Sequence, residues 1–214
     1  VAGDSAGGAF RPAGVSIDTR TLEPGDLFVA LAGVRDGHEF VEQALAKGAA
    51  GALVSRPVAG PAVVVGDTLA ALEQLGQAAR ERAPQARRGA VTGSVGKTSV
   101  TQAVLAGLKL AGRAHSSVKS YNNHIGVPLT LARMPRDTER AVFEIGMNHA
   151  GEIEPLTRLV RPDVAVVTAV EPVHMEFFAS LEAVVEAKAE IFAGLTAANG
   201  VAVINGDSPF YPLL

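Results

Sequence analysis

No cysteine occurs among the 214 residues. That excludes disulfides and thiolate metal sites, and it fits a reducing compartment. Positive charge is not in excess either. The formal net charge of −3 argues against a general nucleic-acid surface. Long hydrophobic runs are missing: stretches such as Leu27–Leu31 and Val164–Val167 are too short to span a bilayer. The opening residues Val1-Ala2-Gly3-Asp4 carry neither a basic region nor an apolar core of the signal-peptide kind. A cytoplasmic location without membrane insertion is therefore expected. The chain starts without Met and stops abruptly at Tyr211-Pro212-Leu213-Leu214, so trimming at both ends is expected. Internal repeats and low-complexity segments are absent.

Hydrophobic residues make up 48% of the chain, enough for a sizeable core and too many for disorder. The length suits one large domain or two small ones. The most informative stretch is Ala90-Val91-Thr92-Gly93-Ser94-Val95-Gly96-Lys97-Thr98-Ser99. An apolar run enters a Gly-rich turn, and a helix-forming run follows from Val100 to Leu110. Such a turn presents backbone N–H groups and a helix N-terminus to a phosphate. Lys97 adds a point charge, and the Thr98 hydroxyl suits Mg²⁺. The general phosphate-loop pattern requires Gly at position 91, where Val91 stands. The loop is thus a shortened form, Thr-Gly-x-x-Gly-Lys-Thr.

Around this loop the chain reads as alternating strands and helices. Residues 15–18 and 27–31 are two short strands around a turn at Glu23-Pro24-Gly25-Asp26. A helix over His38–Lys47 ends at Gly48. Ala52–Val54 and Ala62–Val65 are buried strands. Asp67 or Thr68 caps a helix whose Leu69, Leu72, Leu75 and Ala79 face inward. The charged, Pro- and Gly-bearing stretch Glu81–Gly89 marks a domain boundary near residue 85. This gives an N-terminal domain over 1–85 and a central domain over 86–214. Beyond the loop come strands at Ala141–Ile145, Asp163–Val170 and Val201–Ile204, with helices at Gly151–Val160 and Ser180–Leu195. The expected class is α/β: a small N-terminal α/β domain, then a mainly parallel-sheet domain carrying the phosphate loop.

In an open parallel sheet, ligands bind outside the carboxyl ends of the strands. Four polar motifs of the second half fall there: Thr92–Thr98, Glu144, His174 and Asn205-Gly206-Asp207. Singly, each has a plain alternative as a βα turn, a solvated strand end, a surface histidine or a turn. Together they converge on one edge. Lys188 is different. It interrupts the apolar stripe Leu181, Val184, Val185, Ile191, Phe192, Leu195. A lysine on a buried face is costly unless it snorkels, pairs or loses its charge.

These residues, in this order, resemble the Mur ligases of peptidoglycan synthesis. Val15-Ser16-Ile17-Asp18-Thr19-Arg20, Pro24–Leu31 and Asp36-Gly37-His38 are similar to the family's N-terminal domain. Thr92–Ser99 is similar to its loop, and Ala187-Lys188-Ala189-Glu190-Ile191-Phe192 to the segment bearing its carbamylated lysine. Asn122–Leu131 and Glu144-Ile145-Gly146-Met147-Asn148 resemble the members that add D-alanyl-D-alanine.

The resemblance implies an ATP-dependent ligase acting on UDP-N-acetylmuramoyl-tripeptide and D-alanyl-D-alanine through an acyl phosphate. It implies ATP contacts from Gly93, Ser94, Val95, Gly96, Lys97, Thr98 and Ser99, with Asn205 at the adenine. Thr98 and Glu144 would hold one Mg²⁺, and His174 with a carbamate on Lys188 a second. Asn122 and Asn123 would sit near the γ-phosphate and the acceptor carboxylate. Lys97, Asn123, His174 and Lys188 would carry the chemistry. Ser16, Asp18, Thr19 and Arg20 would lie by the UDP moiety, with the Arg20 fork on the diphosphate.

The resemblance does not extend to the family's third domain, so this chain alone is expected not to ligate. A monomer is expected, with no nucleic-acid partner. The alternatives are the ligase that adds the third peptide residue, the folylpolyglutamate synthase relatives, and a non-catalytic nucleotide or UDP-sugar binding module. A phosphate-loop kinase or GTPase would not explain the N-terminal residues.

Overall fold

In the computed structural model the described residues are 4–6, 10–118, 120–172, 177–195 and 199–214. They form two compact units, Val1–Leu75 and Gly76–Leu214, each with its own five-stranded sheet.

In the first unit the strands are β1 (Asp4–Ala6), β2 (Gly14–Ser16), β3 (Asp26–Val29), β4 (Gly51–Val54) and β5 (Ala62–Val64). The sheet order is β1-β5-β4-β3-β2. Only the β1–β5 pair is antiparallel. The turn at Glu23–Asp26 therefore does not close a hairpin. β2 and β3 run parallel, with Val15 opposite Leu27. Helix α1 (Val41–Ala46) follows a 3-10 turn at Gly37–Phe40. Phe28, Ala30, Val41, Ala44, Ala52 and Val54 form the core.

Helix α2 (Thr68–Arg82) starts as its sequence demands: the Asp67 carboxylate accepts from Leu69 N and Ala70 N at 2.8 and 3.1 Å. The division between the two units falls inside α2, between Leu75 and Gly76, ten residues before the boundary read from composition. The charged stretch read as the boundary runs from the end of α2 into a strand. Arg87-Arg88-Gly89 opens strand β6 (Arg87–Thr92). The Asp163 carboxylate accepts from both arginines: Arg87 Nη1 donates to Oδ1 at 2.8 Å and the Arg88 backbone N–H to Oδ2 at 2.8 Å, while the Arg88 guanidinium donates to Arg161 O and Ala86 O.

The second unit is fully parallel, in the order β10-β9-β6-β8-β7. The strands are β6, β7 (Ala114–Ser116), β8 (Arg140–Glu144), β9 (Val164–Val167) and β10 (Val201–Ile204). The helices are α3 (Lys97–Ala111), α4 (Gly126–Ala132), α5 (Ile153–Val160) and α6 (Leu181–Ala189). Near-continuous apolar strands such as β8 are buried on both faces, as parallel sheets require. α6 ends earlier than its apolar stripe, continuing as a 3-10 turn over Glu190–Gly194. Phe143, Ile145, Ile153, Val184, Val185 and Ile191 lie in the core. No helix of the described residues is long and apolar enough to cross a membrane.

One buried contact of this unit makes stability pH-dependent. His115 on β7 shares a 2.7 Å hydrogen bond with Thr130 O, and its ring is tilted against Phe143. Burial holds its pKa below the ordinary histidine value, reinforced by the charge of Arg133 and opposed by the Thr130 contact. The unfolded chain then binds the proton more readily. The stability contributed by neutral His115 is present above about pH 6.5 and is lost as pH falls toward the folded value. His115→Gln should flatten this loss. Melting midpoints of the variant and the parent, compared between pH 7.5 and pH 5.5, check it.

Candidate functional site

The register of the second sheet puts the carboxyl ends of its strands side by side. Val91 lies opposite Glu144, and Val167 opposite both Thr92 and Ile204. The loop after β6, the Glu144 side chain, and the segments after β9 and β10 therefore share one edge. His174 belongs to the segment after β9 but lies outside the described residues.

The loop at Gly93–Gly96 is shaped by its two glycines. Gly93 (φ 148°) and Gly96 (φ 80°) adopt left-handed conformations that disfavour L side chains. A Cβ on Gly93 would also fall on Thr168 Oγ1. Gly96 caps α3, so the first turn of that helix begins at Lys97. A cavity of about 300 Å³ opens there, lined by Ser94, Val95, Gly96, Lys97, Thr98, Ser99, Ser120, Asn122 and Glu144.

Glu144 is the hub of the cavity and is 3% exposed. Its Oε2 accepts from Thr98 Oγ1 at 2.8 Å, and its Oε1 from Asn122 Nδ2 at 2.7 Å. The Ser120 hydroxyl lies 3.4 Å from that of Thr98. Lys97 Nζ donates to Gly93 O at 2.8 Å and Ser94 O at 3.3 Å. Burial pushes its pKa below the ordinary lysine range, and the Glu144 carboxylate opposes that shift.

Lys188 is among the largest fully buried side chains, at 2% exposure. Burial, with the charge of Lys97 added, lowers its pKa to about 8. No hydrogen bond or ion pair to its ammonium is found among the described residues. Lys188 does not line the cavity, but its charge reaches Lys97 on the cavity wall.

A metal ion is a test of this donor set. The Thr98 hydroxyl and Glu144 carboxylate oxygens are hard donors. Their 2.8 Å separation matches adjacent ligands of an octahedral ion, which lie about 2.9 Å apart when metal–oxygen bonds are 2.0–2.1 Å. The residues therefore fit Mg²⁺. Among the described residues no group of three His, Asp or Glu side chains is arranged for a metal, so phosphate oxygens and water would complete the shell.

Other residues read from the sequence lie elsewhere. Asn123 is not among those lining the cavity. Its Oδ1 accepts from Ile125 N and Gly126 N at 3.2 and 2.9 Å, starting α4. Asn205 is exposed, and its Oδ1 accepts from Asp207 N at 3.0 Å. In the first unit, Ser16 is buried and donates to Asp18 O at 3.1 Å. Thr19 donates to Gln43 Oε1 at 2.9 Å. Arg20 is exposed and forks onto Asp18, with Nη2 to Oδ2 at 2.7 Å. An exposed pair of this kind is weak, so the Arg20 fork can exchange partners. Sequence reading missed Ser120 on the cavity wall and Thr168 beneath the loop. Both are single hydroxyl residues in loops, with no spacing to mark them.

The Mur ligase middle domain matches residues 91–214, and the Mur ligase family catalytic domain matches residues 12–97. The chain is 46% identical over 197 residues to the UDP-N-acetylmuramoyl-tripeptide--D-alanyl-D-alanine ligase of Escherichia coli (strain K12), covering 91% of this chain and 43% of that protein. A crystal structure of MurF from Acinetobacter baumannii superposes with a TM-score of 0.86 at 34% identity, over 94% of this chain and 45% of that one. MurF ligase from Thermotoga maritima in complex with ADP superposes with a TM-score of 0.79 at 29% identity, over 92% of this chain and 46% of that one. The chain thus spans less than half the length of each relative.

Proposed function

Because this chain belongs to the Mur ligase family, we propose that it supplies the UDP-substrate and ATP sites of a D-alanyl-D-alanine-adding ligase. The reaction joins D-alanyl-D-alanine to UDP-N-acetylmuramoyl-tripeptide in peptidoglycan precursor synthesis. The observation that carries this reading is the cavity where the Gly93–Ser99 loop meets the Thr98–Glu144–Asn122 hydrogen bonds. The names of the relatives, one of them in complex with ADP, support it.

The implied chemistry starts from a carboxylate, a poor acylating agent. An oxygen of the peptide carboxylate attacks the γ-phosphorus of ATP, the bond to ADP breaks, and an acyl phosphate forms. The amine of D-alanyl-D-alanine then attacks the acyl carbon, a proton leaves the nitrogen, and phosphate departs. Loop N–H groups and Lys97 hold the phosphates and offset the charge that spreads over them. Thr98 and Glu144 would hold Mg²⁺, which neutralises phosphate charge when bound. Asn122 fixes the Glu144 carboxylate from its other oxygen. Lys188 as a carbamate, with His174, would hold a second Mg²⁺, the carbamate turning a costly buried cation into an anionic oxygen ligand. Ser16, Asp18, Thr19 and Arg20 would meet the UDP moiety. Asn205 would approach the adenine, and Asn123 would act by ordering α4 beside Asn122.

Calorimetry with Mg²⁺-ADP tests the nucleotide site on this chain directly. One saturable site, weakened about tenfold or more by EDTA, is expected. Absence of binding would reject the site. Titration with UDP-N-acetylmuramoyl-tripeptide tests the first unit in the same way. In a full-length ligase carrying this segment, turnover with D-alanyl-D-alanine but not with a single diamino acid separates this activity from third-residue addition.

A further inference from the structure

Residues 168–171, directly after β9, lie against the phosphate-binding loop. Thr168 N donates to Thr92 O at 2.9 Å, and Ser94 N to Ala169 O at 2.8 Å. Ser94 Oγ donates to Glu171 O at 3.0 Å and accepts from Glu171 N at 2.9 Å. The Thr168 hydroxyl closes this pattern. It lies 2.6 Å from Val95 O and 3.2 Å from Thr92 O. It also fills the space where a side chain on Gly93 would stand.

We propose that Thr168 is a positioning residue for nucleotide binding: its hydroxyl sets the peptide planes of the loop. The physics is simple. A trans peptide points its C=O and its N–H to opposite sides. When Thr168 draws Val95 O toward itself, the Gly96 N–H turns the other way. Gly96 lines the cavity and Thr168 does not. Among the described residues the Gly96 N–H has no protein acceptor, so it is left for an anion. Without the hydroxyl, Val95 O loses its donor, and the peptide is free to turn its carbonyl into a site built for phosphate oxygens. Thr168 stands off the cavity wall and acts through the loop. This inference rests on the nucleotide reading above.

The test uses Thr168→Val, which keeps the shape and removes the donor, beside Thr168→Ser, which keeps the donor and removes the methyl. Mg²⁺-ADP affinity is measured by calorimetry, and the melting midpoint without nucleotide is recorded for each. Thr168→Val should weaken Mg²⁺-ADP about tenfold, the effect of one or two misdirected hydrogen bonds. Thr168→Ser should stay within about twofold of the parent. Affinity for UDP-N-acetylmuramoyl-tripeptide should not change in either. In a full-length ligase, KM for ATP should rise more than kcat falls.

Equal binding by Thr168→Val and the parent overturns the proposal and leaves the nucleotide site standing. A Thr168→Ser variant as weak as Thr168→Val also overturns it, because the methyl group and not the hydroxyl would then matter. If the parent chain itself does not bind Mg²⁺-ADP, the nucleotide reading fails first. Should Thr168→Val not fold, Thr168→Ala takes its place with the same expected loss and the same overturning result.

Discussion

Lys97→Ala removes Mg²⁺-ADP binding from this chain and lowers kcat/KM for ATP by about a thousandfold in a full-length ligase carrying the segment. The size follows from the site. Lys97 is a half-buried cation on the cavity wall, and among the described residues its hydrogen-bond acceptors are two carbonyls of its own loop, Gly93 O and Ser94 O. Those bonds hold the ammonium over the place where phosphate would lie. Desolvation makes a charge-assisted contact there stronger than one in water. Stability should respond little, because the removed cation is disfavoured by burial and ties together no distant elements. Calorimetry and a melting curve on the same sample separate the two effects. Mg²⁺-ADP affinity within about twofold of the parent would show that the nucleotide sits elsewhere.

Lys188→Met has the opposite signature, a gain in stability with a loss of turnover. Lys188 is 2% exposed, lies among Val184, Val185 and Ile191, and feels the like charge of Lys97. Burying an ammonium in this setting costs about 2–3 kcal/mol relative to an apolar side chain of similar length. Met fills the same space without charge. The melting midpoint of the chain should rise by roughly 4–10 °C. Ligation by the full-length enzyme should fall by about a thousandfold, as when a group bound in the transition state is removed. The pair of results matters more than either alone. A residue kept at a cost to stability is one retained for chemistry. If Lys188→Met melts at or below the parent temperature, the lysine has a structural partner and the carbamate role loses its main support. A carbamate signal from ¹³C-bicarbonate, present in the parent and absent in the variant, gives a check that does not depend on activity.

Legibility in the sequence followed the physics of each element. The strands β8 and β9 could be read because apolar runs in a parallel sheet are buried, and β10 because its run of Val and Ile favours a strand although most of it is exposed. Thr98 and Glu144 could be placed together because parallel topology gathers strand ends. Lys188 stood out because it broke an apolar stripe. Arg87-Arg88-Gly89 reads as a break in the pattern but opens a strand, because the Asp163 carboxylate accepts from the Arg87 side chain and from the Arg88 backbone N–H. β7 and α4 passed unread. The first has three residues, and the second starts on Gly126 with Pro128 in its first turn, where a missing N–H does no harm. The start of α5 was read two residues early, at Gly151, which has φ 84° and stands outside the helix. Ser120 and Thr168 were invisible for a deeper reason. Their importance is a matter of which carbonyl or hydroxyl lies 3 Å away, and that is written in no local pattern.

The two strand orders also set when each sheet can form as the chain is made. In the first unit, neighbours in space are neighbours in sequence from β2 to β5: Val15 meets Leu27, and Leu53 meets Val63. That sheet can grow as each strand emerges. In the second unit β6 occupies the centre. Gly89 pairs with Val142 on one side and Val164 on the other. The phosphate loop is therefore tethered to a strand that has no partners until about half of the unit has been synthesised, and loop-closure entropy must be overcome before either pairing forms. Release from the ribosome should find the first sheet already protected against hydrogen exchange and the central strand among the last to acquire protection.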